Sequence, residues 1–303
     1  MILTVTLNAA LDVTYEVDTL RPDTSHRVRR VHRRAGGKGV NVARALAATG
    51  CGSVVTGFLG GPTGAAIRVE LPAGAVDRFV GIAGDSRRMV AVVPAGRAEA
   101  TVFNEPGPTV TDAEWQAFVD RYTELSAGAE VVVLSGSLPP GVPDDGYARL
   151  LRIAAGACTI LDSSGPALMN GLAGRPDLVK PNRDELRAAT GHIDPAAGAA
   201  ALRQRGAGAV IASLGRRGLI AVTGQGGWRA AVPGSMAGNP TGAGDACVAA
   251  LSVALRDGVD WPGALADAVA LSGAAVATPV AGEIDLDVYR RLRPIVAVEA
   301  LPC

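Results

Sequence analysis

Histidine and cysteine, from which many metal sites and disulfide scaffolds are built, are scarce in this chain. The 303 residues include three histidines and four cysteines. Because the cysteines lie far apart and form no C-x-x-C pair, the sequence favours neither a disulfide scaffold nor a zinc ribbon. The histidines are equally dispersed, which argues against a His-based metal centre or catalytic triad. These residues are His26, His32, His192, Cys51, Cys158, Cys247 and Cys303.

The sequence also lacks an excess of charge of one sign and a long apolar run. Lys+Arg and Asp+Glu number 29 each, so the formal net charge is zero. That balance argues against a protein built to hold nucleic acid or an anionic membrane surface. No apolar run approaches the ~20 residues of a membrane span, and the N-terminus lacks the basic region of a signal peptide. With 48% hydrophobic residues, we expect a cytoplasmic protein with a sizeable core.

Lysine is the most informative of the scarce residues. Of 29 basic residues, only two are lysines, Lys38 and Lys180. A coding bias towards arginine explains the loss of most surface lysines. The two that remain invite a chemical reason, because a compact ammonium and a planar guanidinium are not interchangeable. Survival by chance is the alternative explanation, and the neighbours of each lysine must decide between the two.

What the chain does contain is an alternation of apolar strands and helices. Buried strands are predicted at 2–7, 53–58, 131–134, 159–161, 178–179, 210–213 and 219–222. Helices are predicted at 40–49, 112–125, 144–155, from 182 onward, at 242–256 and at 262–277. This alternation predicts an α/β fold with a mostly parallel sheet covered on both faces. Four further segments, at 14–17, 27–32, 89–93 and 100–103, predict a small separate sheet.

The most distinctive glycine-rich turn is the segment 238–246, which reads GNPTGAGDA. No Walker A loop, complete G-x-G-x-x-G or G-x-S-x-G elbow is present, so other turns into helices are the candidate ligand sites. Here small residues allow close backbone approach, and the following helix would direct free N–H groups at an anion. Asp245, in the first turn of that helix, is either a helix-dipole carboxylate or a base beside a phosphate site.

Two other turns combine the remaining lysines with polar side chains. Gly36-Gly37-Lys38-Gly39 is followed by Asn41, an amide that is mildly unfavourable within a helix and therefore a candidate ligand contact. Lys180-Pro181-Asn182 is followed by Glu185. Asn182 and Glu185 fit a purely structural helix cap as well as they fit a site that organises Mg²⁺ through water. The segments 213–218 and 8–12 are weaker candidates at other strand ends.

Together these segments resemble the ribokinase-like (PfkB) family of carbohydrate kinases. The segment 239–251 matches the family's C-terminal signature, and the segment 35–43 matches its N-terminal one. The resemblance implies a three-layer α/β sandwich formed by residues 1–303 as one domain. It also implies a small β-sheet lid from strands at about 12–34 and 88–106. Within the family, the sequence looks most like the 1-phosphofructokinase and tagatose-6-phosphate kinase branch, whose sugars already carry a phosphate. The segments that resemble it are 4–8, 10–12, 36–39, 135–139, 162–164 and 180–182.

The resemblance also implies a role for each matching residue and a need for ATP and Mg²⁺. It makes Asp245 the general base and the backbone of Gly242, Ala243 and Gly244 the anion hole. The sugar phosphate would contact Asp12, Gly37, Lys38, Asn41, Ser137 and either Arg87 or Arg88. ATP would contact Lys180, Asn182, Ser213, Gly215 and Gly218, and Glu185 would hold Mg²⁺ through water. Members often also use a monovalent cation and form a homodimer through the lid.

Two departures from the branch pattern leave the substrate open. Ala9 stands where the branch usually has proline, and Met89 stands near a position that is commonly asparagine. Fructose 1-phosphate is the leading substrate, with tagatose 6-phosphate and fructose 6-phosphate as alternatives. A non-catalytic sugar-phosphate sensor on the same fold is a second hypothesis, since fold alone does not determine function. A nicotinamide dehydrogenase is a third, and it lacks the glycine fingerprint.

Overall fold

The computed structural model describes residues 1–96, 100–234, 238–278 and 282–301. Within these ranges the strands are β1 Ile2–Thr6, β2 Ala10–Val17, β3 Val28–Gly36, β4 Ser53–Gly60, β5 Ala75–Asp77, β6 Val80–Ile82, β7 Arg87–Pro94, β8 Thr101–Asn104, β9 Val131–Ser135, β10 Cys158–Asp162, β11 Leu178–Val179, β12 Ala209–Ser213, β13 Leu219–Thr223, β14 Gly226–Ala231 and β15 Ala297–Ala300. The helices are α1 Lys38–Ala48, α2 Gly61–Val69, α3 Asp112–Ser126, α4 Gly146–Ile153, α5 Gly165–Gly171, α6 Arg183–Thr190, α7 Pro195–Gln204, α8 Ala243–Asp257, α9 Trp261–Val276 and α10 Leu286–Leu292.

A large central sheet has the order β15-β14-β13-β12-β11-β10-β9-β1-β4-β5, with β6 paired to β4. From β12 to β5 every pairing is parallel. The central strands are buried on both faces, with alternate residues in two different core clusters. Leu3 and Val132 pack in one cluster, whereas Ile2 and Val131 pack in the other. This explains why these strands are continuous apolar runs, and it confirms the predicted α/β fold class.

The far edge of the central sheet is antiparallel, since β13, β14 and β15 follow β12 as antiparallel neighbours. Sequence patterning predicted β13 but neither β14 nor β15. β14 begins with Gly226-Gly227 and is half-exposed, so it lacks the apolar run that identifies a buried strand. Within the described ranges, no helix is both long and apolar enough to cross a bilayer.

A separate four-stranded sheet, which we call the lid, has the order β3-β2-β7-β8. Leu11 and Val13 on β2 and Ala35 on β3 pack with Val40 of α1 and Ile67 of α2, which attaches the lid to the main layers. β7 and β8 form an antiparallel pair. The sequence predicts a turn at 94–97 between these two strands; Arg97 lies outside the described residues, as does Cys303.

The parallel strands bring several chain segments to one edge of the sheet. β10 ends at Asp162, β12 ends at Ser213, and Lys180 directly follows β11. Because parallel strands share their carboxyl edge, these positions are neighbours although they are distant in sequence. The N-terminus of α8 faces the same edge, where Gly244 lies against Lys180: a Cβ on Gly244 would be 3.4 Å from Lys180 Nζ. This edge is the candidate active site.

Candidate active site

Asp245 is a buried carboxylate in the first turn of α8, with only 8% of the residue exposed. Asn41, on α1, donates a hydrogen bond from Nδ2 to Asp245 Oδ2 at 3.0 Å. Burial, reinforced by the negative charge of Asp162, raises the pKa of Asp245 to about 7, against the opposing effects of Lys38, Asn41 and Lys180. A carboxyl with that pKa can accept a proton near neutral pH.

Asp162 is completely buried at the end of β10 and holds both lysines of the chain. Its Oδ1 accepts a hydrogen bond from Lys38 Nζ at 3.0 Å and lies 3.5 Å from Lys180 Nζ. Lys180 is only 4% exposed, and burial alone would lower its pKa. The carboxylates around it, led by Asp162, outweigh that effect and raise the pKa of Lys180 to about 12. Lys180 is therefore charged at neutral pH. Lys38, Lys180, Asp162 and Asp245 together form what we call the transfer site.

The turn before α8 presents backbone N–H groups to the transfer site. Gly242 is the N-cap of α8 and has φ +87°, a left-handed conformation that favours glycine. Ser272 on α9 donates from Oγ to the Ala243 carbonyl at 3.0 Å, which holds the first turn in place. Of the three residues predicted to form the anion hole, Ala243 already donates its N–H to the Pro240 carbonyl at 3.2 Å. The N–H groups of Gly242 and Gly244 make no such bond within the described residues.

A second group of charges lies on the lid side of the cleft, and we call it the lid arginine cluster: Asp12, Arg34, Arg44 and Arg87. Asp12 is on β2, and burial raises its pKa to about 6, although Arg87, Arg34 and Arg44 each oppose the shift. Burial also lowers the pKa of Arg44 to about 10. The β2–β7 register pairs Ala10 with Arg87 and Asp12 with Met89. Arg87 and Asp12 therefore lie on one lid face, and all three arginines act on the Asp12 carboxyl. Exposed carboxylates act on these arginines as well: Glu70, Glu105 and Glu283.

The β2–β7 register also places Arg87 and Arg88, the two alternatives for contact with the sugar phosphate, on opposite faces of the lid. Arg87 Nε donates to the Asn8 carbonyl at 3.0 Å, beside Asp12. Arg88 is exposed, and its backbone N–H donates to Glu105 Oε2 at 2.6 Å. Ser137, after β9, lies near Arg87, since its Oγ accepts a hydrogen bond from Asn8 Nδ2 at 3.1 Å. Gly37, with φ +100°, turns the chain from β3 into α1, where a Cβ would come within 2.7 Å of Thr6 Cγ2.

The residues predicted to contact ATP lie along the next strand ends. Asn182 forms a parallel bridge with Ser213, and Ser213 N–H donates to the Pro181 carbonyl at 3.1 Å. Position 218 needs a glycine, because a Cβ there would be 2.0 Å from the Ala230 carbonyl oxygen. Gly215, in the same turn, has φ +60°. The turn 213–218 thus lies directly beside Asn182.

Glu185 is the predicted magnesium residue, and the structure gives it a structural task as well. Its Oε2 accepts the Asn182 backbone N–H at 2.8 Å, while Asn182 Oδ1 accepts the N–H of Glu185 at 2.8 Å. This reciprocal pair is a capping box. Glu185 also contributes to the raised pKa of Lys180, so it lies within electrostatic range of the transfer site.

The fold therefore brings Asp245, Lys38, Asn41 and Lys180 together. A second group, Asp12, Arg87 and Ser137, lies where the lid meets the central sheet. Three functional candidates were given no role from sequence: Asp162, Arg34 and Arg44. A signal for Asp162 exists, since an acidic residue ends an apolar strand at the binding edge of the sheet. Arg34 and Arg44 carry no comparable local signal, because arginine is abundant throughout the chain.

Known proteins share both the sequence pattern and the fold. The sequence profile of pfkB family carbohydrate kinases matches residues 4–286. A 1-phosphofructokinase from Xanthomonas campestris pv. campestris is 41% identical, with 84% of each chain covered. The crystal structure of phosphofructokinase-2 from Escherichia coli in complex with potassium has a TM-score of 0.91 at 29% identity, covering 97% of this chain and 98% of that one. The same protein in complex with fructose-6-phosphate has a TM-score of 0.88 at 28% identity, with the same coverage.

Proposed function

The chain belongs to the pfkB family of carbohydrate kinases, and from that premise we propose that it transfers the γ-phosphoryl group of ATP to a hydroxyl of a ketohexose phosphate. The leading acceptor is fructose 1-phosphate, which would give fructose 1,6-bisphosphate. The similarity to a 1-phosphofructokinase supports this choice. Fructose 6-phosphate, which is bound in one of the E. coli structures, and tagatose 6-phosphate are the alternatives.

The main support for the proposal is that one cleft contains two separate sites that can bind an anion. The lid arginine cluster places Arg34, Arg44 and Arg87 around Asp12. The other carboxylates that act on these arginines are exposed to solvent: Glu70, Glu105 and Glu283. Because water screens exposed charges, the three guanidinium groups suit a phosphate that stays on the sugar. The transfer site, by contrast, offers a base and two ammonium groups. A substrate that already carries a phosphate would use both sites at once.

Asp245 is proposed as the general base. Asn41 occupies Oδ2 of its carboxylate, which leaves Oδ1 to accept the proton of the attacking hydroxyl. As the hydroxyl oxygen forms a bond to the γ-phosphorus, the bond from that phosphorus to the β,γ-bridging oxygen breaks and ADP leaves. The proton resides on Asp245 until it is lost to solvent. In such a loose transfer, protein groups mainly position the reactants and neutralise charge.

Lys38, Lys180 and the amides of Gly242 and Gly244 are proposed to neutralise the phosphoryl group in transit. Lys38 was predicted to grip the phosphate that the sugar carries. Its position beside Asp162, Lys180 and Asp245 favours contact with the transferring group instead. The resting phosphate would then be held chiefly by Arg87.

The residues on the ATP side fit a magnesium ion that is held mainly by phosphates and water. Within the described part of the chain, no group of three His, Cys, Asp or Glu side chains could cage a metal alone. Mg²⁺ ordinarily binds such sites through one or two carboxylates together with substrate phosphates and water. Glu185 supplies one carboxylate, and Lys180, Asn182 and the turn 213–218 adjoin it. When bound, Mg²⁺ would offset the charge of the ATP phosphates; a monovalent cation stays a prediction.

A coupled assay of ADP release tests the function directly. It compares fructose 1-phosphate, fructose 6-phosphate, tagatose 6-phosphate and free fructose, each with ATP and Mg²⁺. We expect the highest kcat/KM on fructose 1-phosphate. Turnover on free fructose alone would keep the kinase but remove the role of the lid arginine cluster. Binding of a sugar phosphate without any turnover would support the sensor hypothesis.

The lid is proposed to meet a second copy of the chain. Exposed apolar side chains gather on its strands, including Phe103 at 58%, Val102 at 49% and Val31 at 46% exposed. Light scattering should give twice the 30.6 kDa chain mass. Phe103→Asp should shift the mass towards the monomer. Val69→Asp is the matched control, since Val69 is 83% exposed on α2, outside the lid. A monomeric unmodified protein would contradict the proposal.

A further inference from the structure

Asn8 connects the lid to the central sheet at three of the four places where the chain passes between them. It lies in the short link from β1 to β2, and only 6% of the residue is exposed. Its carbonyl accepts a hydrogen bond from Arg87 Nε, at the start of β7, at 3.0 Å. Its Nδ2 donates to the Pro106 carbonyl, just after β8, at 3.0 Å. The fourth passage is the turn from β3 into α1 at Gly37.

The orientation of the Asn8 amide follows from its partners. A carbonyl oxygen can only accept, so the amide atom that faces the Pro106 carbonyl must be the nitrogen. The second hydrogen of the same nitrogen points to Ser137 Oγ at 3.1 Å. The amide oxygen lies against Gly107, where a Cβ would be 2.2 Å from Oδ1. This oxygen is buried and has no hydrogen-bond partner among the described residues. The hydrogen bond from Nδ2 to the Pro106 carbonyl therefore fixes the orientation of the amide.

This orientation determines what Ser137 can do. Because Ser137 Oγ accepts from Asn8, its own O–H is available to donate to a different group. No described residue accepts that hydrogen, and Ser137 is exposed after β9. A hydroxyl held as a donor prefers a ligand atom that only accepts, such as an oxygen of an ionised phosphate.

Asn8 also holds the side chain of Arg87 in place. Its Nε is used by the Asn8 carbonyl, and within the described ranges neither Nη atom has a hydrogen-bond partner. Arg87 and Ser137 therefore both contact Asn8, one from the lid and one from the central sheet. Their remaining hydrogens are the donors that an anion between lid and sheet would meet first.

We propose that Asn8 is the positioning residue for the phosphate that the sugar already carries. It makes no contact with that phosphate; it holds the Ser137 hydroxyl as a donor and the Arg87 guanidinium in place across the junction of lid and sheet. The proposal rests on the proposed function, since it names how the same cleft selects a phosphorylated sugar. It also predicts that loss of Asn8 weakens binding of the sugar phosphate and not of ATP.

Asn8→Asp is the sharpest test, because it conserves shape and removes both donated hydrogens. Ser137 would then donate to the new carboxylate, and its oxygen would be turned away from phosphate. Calorimetric titration of fructose 1-phosphate should show ~10- to 100-fold weaker binding, the scale of losing hydrogen bonds to a charged group. The dissociation constant for ATP should change less than ~2-fold. Asn170→Asp is the matched control, since Asn170 is exposed and also donates to a backbone carbonyl, that of Asp144.

Ser137→Ala is the second variant and leaves the buried Asn8 in place. It should weaken fructose 1-phosphate binding ~5- to 20-fold, and adding Asn8→Ala should cost less than the product of the two single effects. Equal loss of sugar-phosphate and ATP binding in Asn8→Asp, or unchanged sugar-phosphate binding in Ser137→Ala, would overturn the proposal. If the unmodified protein binds no sugar phosphate, that result contradicts the proposed function itself. It is distinguishable from failure of the Asn8 proposal, in which the unmodified protein binds and the variants show no selective loss.

Discussion

The transfer site and the lid arginine cluster face the same cleft but balance their charges differently. The transfer site sets two lysines against two carboxylates, and Asp162 and Asp245 are both buried. The lid arginine cluster sets three partly buried arginines against Asp12 and against three exposed glutamates, Glu70, Glu105 and Glu283. Because water screens the exposed glutamates, this cluster keeps an excess of positive charge that can hold a resting anion, whereas the balanced transfer site has little net attraction for one. The first should therefore act on kcat, and the second on KM.

The largest expected effect is on the base of the transfer site. Asp245→Asn should leave the protein folded and binding fructose 1-phosphate, yet lower kcat by ~10²–10⁴-fold, the scale of a lost general base. The measurement is steady-state turnover with circular dichroism as the folding control. Near-normal turnover would remove Asp245 from the mechanism.

Asp162 tests whether the charge balance of the transfer site is itself important. Asp162→Asn would leave Lys180 buried without its charge partner, which should lower the free energy of unfolding by ~3–5 kcal/mol. Urea denaturation measures this. Asp145→Asn is the control, because the Asp145–Arg149 pair is exposed and should change the unfolding free energy by less than ~0.5 kcal/mol. Equal stability of both variants would contradict the view of Asp162 as the anchor of the two lysines.

On the lid side, a pair of adjacent arginines provides an internal comparison. Arg87→Ala should raise KM for fructose 1-phosphate by ~10- to 100-fold, with a much smaller change in kcat. Arg88→Ala should change KM by less than ~3-fold, because Arg88 is exposed beside Glu105. Initial-rate kinetics at saturating ATP distinguish the two. A larger rise in KM for Arg88→Ala than for Arg87→Ala would assign the contact with the sugar phosphate to Arg88 instead.

The smallest expected effect is on pH dependence, and it also distinguishes the two sites. Asp245, whose pKa is raised to about 7, must be ionised to accept a proton. Lowering the pH through that value protonates it, so kcat/KM, which reports the pKa values of the ligand-free enzyme, should fall about tenfold per unit below pH ~7. Asp12, with a pKa raised to about 6, should affect KM only at lower pH. A value of kcat/KM that does not change between roughly pH 5 and pH 8 would contradict the role of Asp245.

Local sequence patterns predicted the parallel strands and the start of α8. Burial on both faces makes the central strands continuous apolar runs, and small residues identify the turn before α8. The predicted helix at 112–125 is α3, and a capping box at Thr111 and Glu114 explains where it begins. The short or half-exposed elements β5, β6, β14 and β15 were not predicted. Their stability comes from strand pairing rather than from their own residues: β5 and β6 pair with β4, β14 pairs with β13, and β15 pairs with β14.

The sequence by itself determined the family and the two glycine-rich turns, and it singled out the two lysines as candidates. It did so because turn geometry and helix starts depend on neighbouring residues. Only the tertiary structure decided that Lys38 meets Asp162 across 124 residues and that Asn41 meets Asp245 across 204. The register of β2 with β7 also places Arg87, and not Arg88, on the lid face that carries Asp12. The raised pKa of Asp245 belongs to the structure as well, since burial and the charge of Asp162 arise only when the chain is folded.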